Sequence, residues 1–119
     1  MSVETVKDDE YLVEYNEATK QIRFDGTIRL RTTDEYAPIT DLLHKAHDSV
    51  NEEDTISLDF SELRFLNSSG INAISRFVIA ARKKAKINLK VIGNHEIYWQ
   101  QKSLKNLQRL WSKVQIDIK

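Results

Sequence analysis

The chain contains no cysteine. That excludes disulfides, zinc–thiolate centres and cysteine nucleophiles, and it fits a cytoplasmic protein. Proline occurs once and glycine three times in 119 residues, which leaves little material for a flexible linker. Net charge is missing too, since 18 basic residues cancel 18 acidic ones. Without a net field, neither nucleic acid nor a membrane surface is an expected partner. No apolar run approaches the length of a membrane span. The opening residues, Met1-Ser2-Val3-Glu4-Thr5-Val6-Lys7-Asp8-Asp9-Glu10, are acidic and have no apolar h-region, so no secretory signal is expected there. There is no P-loop, no Gly-rich dinucleotide fingerprint and no internal repeat.

What the chain does have is regular. Hydrophobic residues make up 40% of it and charged residues 30%, a balance that suits one globular domain with a proper core. Residues 1–9 read as a flexible N-terminal tail and 10–119 as the domain. Residues 11–15 and 21–24 alternate apolar and polar around a polar turn, which predicts an antiparallel hairpin. Asp25-Gly26 breaks the second run, and residues 27–30 extend or restart it beyond a bulge. Thr32 and Glu35 have capping-box spacing, and Ile39, Leu42, Leu43, Ala46 and Val50 mark one face of a helix. Pro38 cannot donate a backbone hydrogen bond and belongs in a first turn, which moves the regular helix start later than the capping box. A strand over 55–60, a helix over 70–84 and a strand over 87–93 follow. A third helix carries Leu104, Leu107, Leu110 and Trp111, and 114–118 read as a short edge strand. Strands joined through helices imply parallel pairing with right-handed crossovers.

Phe65-Leu66-Asn67-Ser68-Ser69-Gly70-Ile71 joins the strand at 55–60 to the helix that follows. On their own, Asn67, Ser68 and Ser69 are an ordinary helix cap. Two hydroxyls at the positive end of a helix also make a place to bind an anion or to attach one. A serine hydrolase would need glycine two residues before its nucleophile, but Leu66 and Asn67 stand there, and nothing places His44, His47 or His95 nearby. No catalytic residue is expected. His44 and His47, with Asp41 and Asp48, read as solvated side chains, so no metal or cofactor is expected either. With Ile71, Ile74, Val78 and Ala81 facing the core, Asn72, Arg76, Ile79 and Lys83 point outward from the Ser68 end. That stripe is either a partner surface or a solvated face with one stray isoleucine. Arg82-Lys83-Lys84 complements the helix dipole. Trp99 and Trp111 read as packing residues, with Tyr98-Trp99 alternatively an exposed anchor.

Ser57-Leu58-Asp59-Phe60-Ser61-Glu62-Leu63-Arg64-Phe65-Leu66-Asn67-Ser68-Ser69-Gly70-Ile71 resembles the signature of STAS domains, the fold of bacterial anti-sigma factor antagonists. The likeness extends in element order over about residues 11–118. It implies a single α/β STAS-like domain with a mixed, mostly parallel sheet, an N-terminal hairpin and helices packed on the sheet. Glu35-Tyr36-Ala37-Pro38-Ile39 is similar to a narrower bacterial branch of small phosphorylated regulators linked to biofilm and cyclic-dinucleotide signalling. The resemblance implies a non-catalytic phosphoswitch. Ser68 would be phosphorylated by a cognate serine kinase and dephosphorylated by a metal-dependent serine phosphatase. The unmodified form would hold a regulatory target, such as an anti-sigma factor or a nucleotide cyclase, through Asn67, Ser69, Gly70, Asn72, Arg76 and Ile79. Asn67 stands where the family commonly has Asp, and residues 94–102 are longer than their usual counterpart. A constitutive adaptor that is never phosphorylated is the alternative.

Overall fold

The computed structural model describes residues 3–119. The elements run β1 (Val3–Lys7), β2 (Tyr11–Asn16), β3 (Gln21–Ile28), α1 (Thr33–Ser49), β4 (Thr55–Leu66), α2 (Ser68–Lys84), β5 (Asn88–Gly93), α3 (Tyr98–Leu110) and β6 (Gln115–Ile118). All six strands form one sheet in chain order. β1, β2 and β3 pair antiparallel, whereas β3–β4, β4–β5 and β5–β6 pair parallel. Parallel neighbours in sequential order, linked by right-handed crossovers, put all three helices on one face of the sheet. There α2 lies between α1 and α3.

The strands bury one face only. Val13, Tyr15, Ile22, Phe24, Ile56, Leu58, Phe60, Leu89 and Val91 alternate under the helices, while Arg23, Ser57, Asp59 and Lys90 keep the other face polar. Phe24 and Phe60 stack at 4.5 Å between ring centroids across the β3–β4 pair. The helices answer with Leu42, Leu43 and Ala46 from α1, Ala73, Ile74, Phe77, Val78 and Ala81 from α2, and Leu104 and Leu107 from α3.

Four sequence readings need correction. Residues 3–7, read as part of a flexible tail, form β1 at the sheet edge, and Met1 and Ser2 lie outside the described residues. The hairpin is closed by Asp8, whose carboxylate accepts from the Glu10 and Tyr11 amides. Second, α1 starts at Thr33 with its capping box formed, and Pro38 sits inside the helix. The hydrogen bond that Pro38 cannot make would have gone to the carbonyl of Asp34, an exposed residue that water reaches. Third, β4 continues to Leu66 rather than stopping at 60. Its register against β3 shifts between Arg23 and Asp25 and again between Gly26 and Thr27, so the apolar alternation changes phase after Phe60. Fourth, His47 is buried against Phe77 of α2 rather than solvated.

Candidate functional site

The helices follow strands, so their N-termini collect beyond the C-terminal ends of the parallel strands, where open α/β sheets place their sites. α2 starts one residue after β4 ends, beside the end of β3. Asn67 occupies that single link and is held from several directions. Its Oδ1 accepts from the Gly70 amide at 2.9 Å and from the Tyr36 hydroxyl at 2.5 Å. Its Nδ2 donates to the Leu30 carbonyl at 2.6 Å, and its backbone N–H donates to the Ile28 carbonyl at 3.3 Å. Only one orientation of the amide satisfies all of these. The three elements that meet at this loop are thereby pinned together.

Tyr36 is buried, and that burial pushes its phenol up, a shift the Leu30 backbone partly opposes, so it remains a donor to Asn67 at neutral pH. Gly70 is buried as well. A Cβ there would run into Leu66 Cδ1 and come within 2.6 Å of the Tyr36 hydroxyl. Gly70 was expected on the partner-contact surface, but it has no surface to offer. Its role is to let Leu66 and Tyr36 close over the helix start.

Ser68 stands apart from this network. It is the first residue of α2, exposed, and the cap is made by Asn67, which leaves the Ser68 hydroxyl free. Phe65, two residues before Asn67, is 45% exposed, an aromatic ring left in water beside the loop. Ser69 is half-buried and turns toward α1. Together with Asn72 and Arg76 it lines a polar cleft of about 150 Å³, whose other wall is Arg31, Thr32, Thr33 and Tyr36. Ile79, further along α2, is half-buried and outside this group. The structure therefore joins Ser69, Asn72 and Arg76 in one surface and leaves Ile79 out of it.

On the other side of the loop, β4 runs past the end of its pairing with β5, which stops at Asp59. The carbonyls beyond that point find side chains instead. Gln100, fully buried, donates to the Phe60 and Leu63 carbonyls at 2.5 and 2.9 Å and accepts from the Asn94 amide at 2.7 Å. Trp99 Nε1 also donates to Leu63, and its ring meets Phe60 edge to face. Trp99 is thus a packing residue, and Tyr98, 93% exposed, is not. Sequence reasoning missed Gln100, Tyr36 and Arg31. Tyr36 lay within the Glu35–Ile39 pentapeptide, but a polar residue on an amphipathic helix gives no sign that it is buried.

Among the described residues there is no group of three potential metal ligands, and no helix is long and apolar enough to cross a membrane. A larger, open groove of about 730 Å³ lies between α3 and β6, bounded by His95, Lys105 and Arg109 and sharing no residue with the Ser68 region.

No family model matches the chain, and no curated protein matches it in sequence. Solved structures match it in fold. Apo-SiaC from Pseudomonas aeruginosa is similar at a TM-score of 0.73 and 12% identity, over 100% of this chain and 99% of that one. A second structure of SiaC of Pseudomonas aeruginosa gives 0.67 and 13%, over 100% and 98%. A chain in the crystal structure of the diguanylate cyclase SiaD in complex with its activator SiaC, from the same organism, gives 0.69 and 12%, over 98% and 99%. The whole chain thus has the mixed α/β fold of those structures.

Proposed function

We propose that this protein is a non-catalytic regulator of the STAS type, which binds a partner through the Ser68 end of α2 and releases it when Ser68 is phosphorylated. The observation that carries the reading is the division of labour in one short loop. Asn67 and Gly70 are locked into the fold, while the Ser68 hydroxyl between them is exposed and free of the cap. A phosphoryl group on that oxygen would add about −1.5 to −2 charge at a helix start. The domain tolerates the charge there, since the dipole favours it by about 0.3–1 kcal/mol. A partner packed against the loop would have to desolvate it.

The partner surface proposed here is Ser68, Ser69, Asn72 and Arg76, with Phe65 as the exposed aromatic anchor. Asn67 and Gly70 act by holding that surface in shape. One structural neighbour is the activator of a diguanylate cyclase, which makes a nucleotide cyclase the partner class favoured over an anti-sigma factor. A serine kinase and a metal-dependent serine phosphatase would write and erase the mark. Asn67 in place of the family's Asp favours a switch that has kept its loop rather than lost it. Its Nδ2 donates to the Leu30 carbonyl, a bond that a carboxylate cannot make.

The test is intact-mass analysis of the protein isolated from its native source, with peptide mapping. A species heavier by one phosphoryl group, mapping to Ser68 and removed by a serine phosphatase, is the expected result. A chain that stays unmodified under every growth condition, yet still holds a cyclase, would establish the constitutive adaptor instead.

A further inference from the structure

The cleft between the starts of α1 and α2 brings together Arg31 and Arg76, which are 45 residues apart in the chain. No carboxylate lines it. Asp34 and Glu35, the nearest acids in sequence, are not on its lining, and Glu35 is occupied by the capping box, where its Oε1 accepts from the Arg31 and Thr32 amides. The ion pairs of the described residues engage Lys20, Arg23, Arg29, Lys45 and Lys84, and neither arginine of the cleft is among them. Two arginines without an ion-pair partner on the lining of one hollow give it a positive potential that favours an anion. The remaining wall, from Ser69, Asn72 and Thr33, supplies neutral donors suited to the oxygens of such an anion.

We propose that this cleft is a receptor for a phosphoryl oxyanion, held by Arg31 and Arg76 and oriented by Ser69, Asn72 and Thr33. Guanidinium forks match the spacing of phosphate oxygens and bind them in pairs. A volume of about 150 Å³ is enough for one such group. The phosphoryl group has two sources with the same chemistry: a small phosphate-bearing molecule, or a phosphoester on Ser69 itself, which lies on the wall. The second source would form a bond between Ser69 Oγ and the γ-phosphorus of a nucleoside triphosphate. The bond from that phosphorus to the β–γ bridging oxygen would break, the nucleoside diphosphate would leave with that oxygen, and the hydroxyl proton would pass to the base of the kinase. The receptor shares Ser69, Asn72 and Arg76 with the proposed partner surface but does not need the Ser68 switch, because Ser68 does not line the cleft.

Amide NMR of the full chain tests it, with inorganic phosphate added at constant ionic strength and chloride as the control. Free-phosphate binding gives saturable shifts at Thr33, Ser69 and Asn72, weakened about tenfold by Arg31→Gln and by Arg76→Gln alike. Arg64→Gln, outside the cleft, leaves them unchanged. A second arm uses protein carrying phosphoserine at position 69. If the group is held internally, this form melts higher than the unmodified chain, loses that gain in both arginine variants, and no longer takes up free phosphate. Response in the first arm identifies a small-molecule source, and response in the second identifies Ser69. Shifts that never saturate, together with a phosphoserine form whose melting does not depend on either arginine, would overturn the receptor.

Discussion

Helices α2 and α3 both begin beside the far end of β4, and they begin differently. α2 is capped by Asn67, whose side chain bonds forward to Gly70 and sideways to Tyr36 and Leu30. α3 starts at Tyr98, and its N-cap residue Ile97 makes no side-chain cap hydrogen bond. Its first turn instead sends Gln100 and Trp99 back to the carbonyls that β4 cannot pair with β5. One start holds a loop still and leaves a hydroxyl free beside it. The other has no side chain capping its amides, and its first turn repairs the strand. The contrast separates two meanings of a polar residue at a helix start: Gln100 is structural and buried, Ser68 is available and exposed.

The sharpest way to break the α3 side is Gln100→Leu. It leaves the Phe60 carbonyl buried without its donor, and a loss of about 2–4 kcal/mol is expected in urea unfolding. Next comes Asn67→Asp, which preserves the cap but sets a carboxylate oxygen against the Leu30 carbonyl. About 1–3 kcal/mol should be lost, and a variant as stable as the parent would remove Leu30 as the reason for Asn67.

Acid loosens the support behind α2 through His47. Burial, with Lys84 and Lys86 nearby, holds that imidazole below its ordinary 6.5. Neither ring nitrogen has a hydrogen-bond partner among the described residues. Above 6.5 the histidine is neutral in both folded and unfolded chains, so it adds no slope. Below 6.5 the unfolded chain takes the proton first, and stability falls until the lower folded value is passed. Melting followed from pH 8 to about pH 5 should show this decline, and His47→Phe should flatten it.

The smallest effects on stability belong to the exposed groups. Tyr98→Ala and Ser68→Ala should each stay within about 0.5 kcal/mol of the parent. Ser68→Asp should also melt near the parent while binding its partner at least about tenfold less well. A large loss of stability at Ser68 would place it in the frame with Asn67 and erase the contrast.

Much of this was legible in the residues, because local rules agree with the global fold over most of the chain. The capping spacing of Thr32 and Glu35, the helical period after Gly70 and the strand before it all describe what forms. The misses share a cause, since each depends on a neighbour distant in sequence. Val3–Lys7 carries charges like many edge strands, and only its pairing with β2 reveals it. His47 looks polar until Phe77 closes over it. Tyr36 meets Asn67 across 31 residues, and Gln100 meets Phe60 across 40. Arg31 and Arg76 become a cleft only once α1 and α2 are side by side.

The most direct test compares unmodified protein with protein carrying phosphoserine at position 68, measuring in each the affinity for a nucleotide cyclase, the proposed partner, and the melting temperature. The expected result is a loss of affinity of at least about tenfold, 1.4 kcal/mol, with melting unchanged within about 2 °C. Equal affinities, or a phosphorylated form that melts several degrees lower, would contradict a free hydroxyl on a rigid frame.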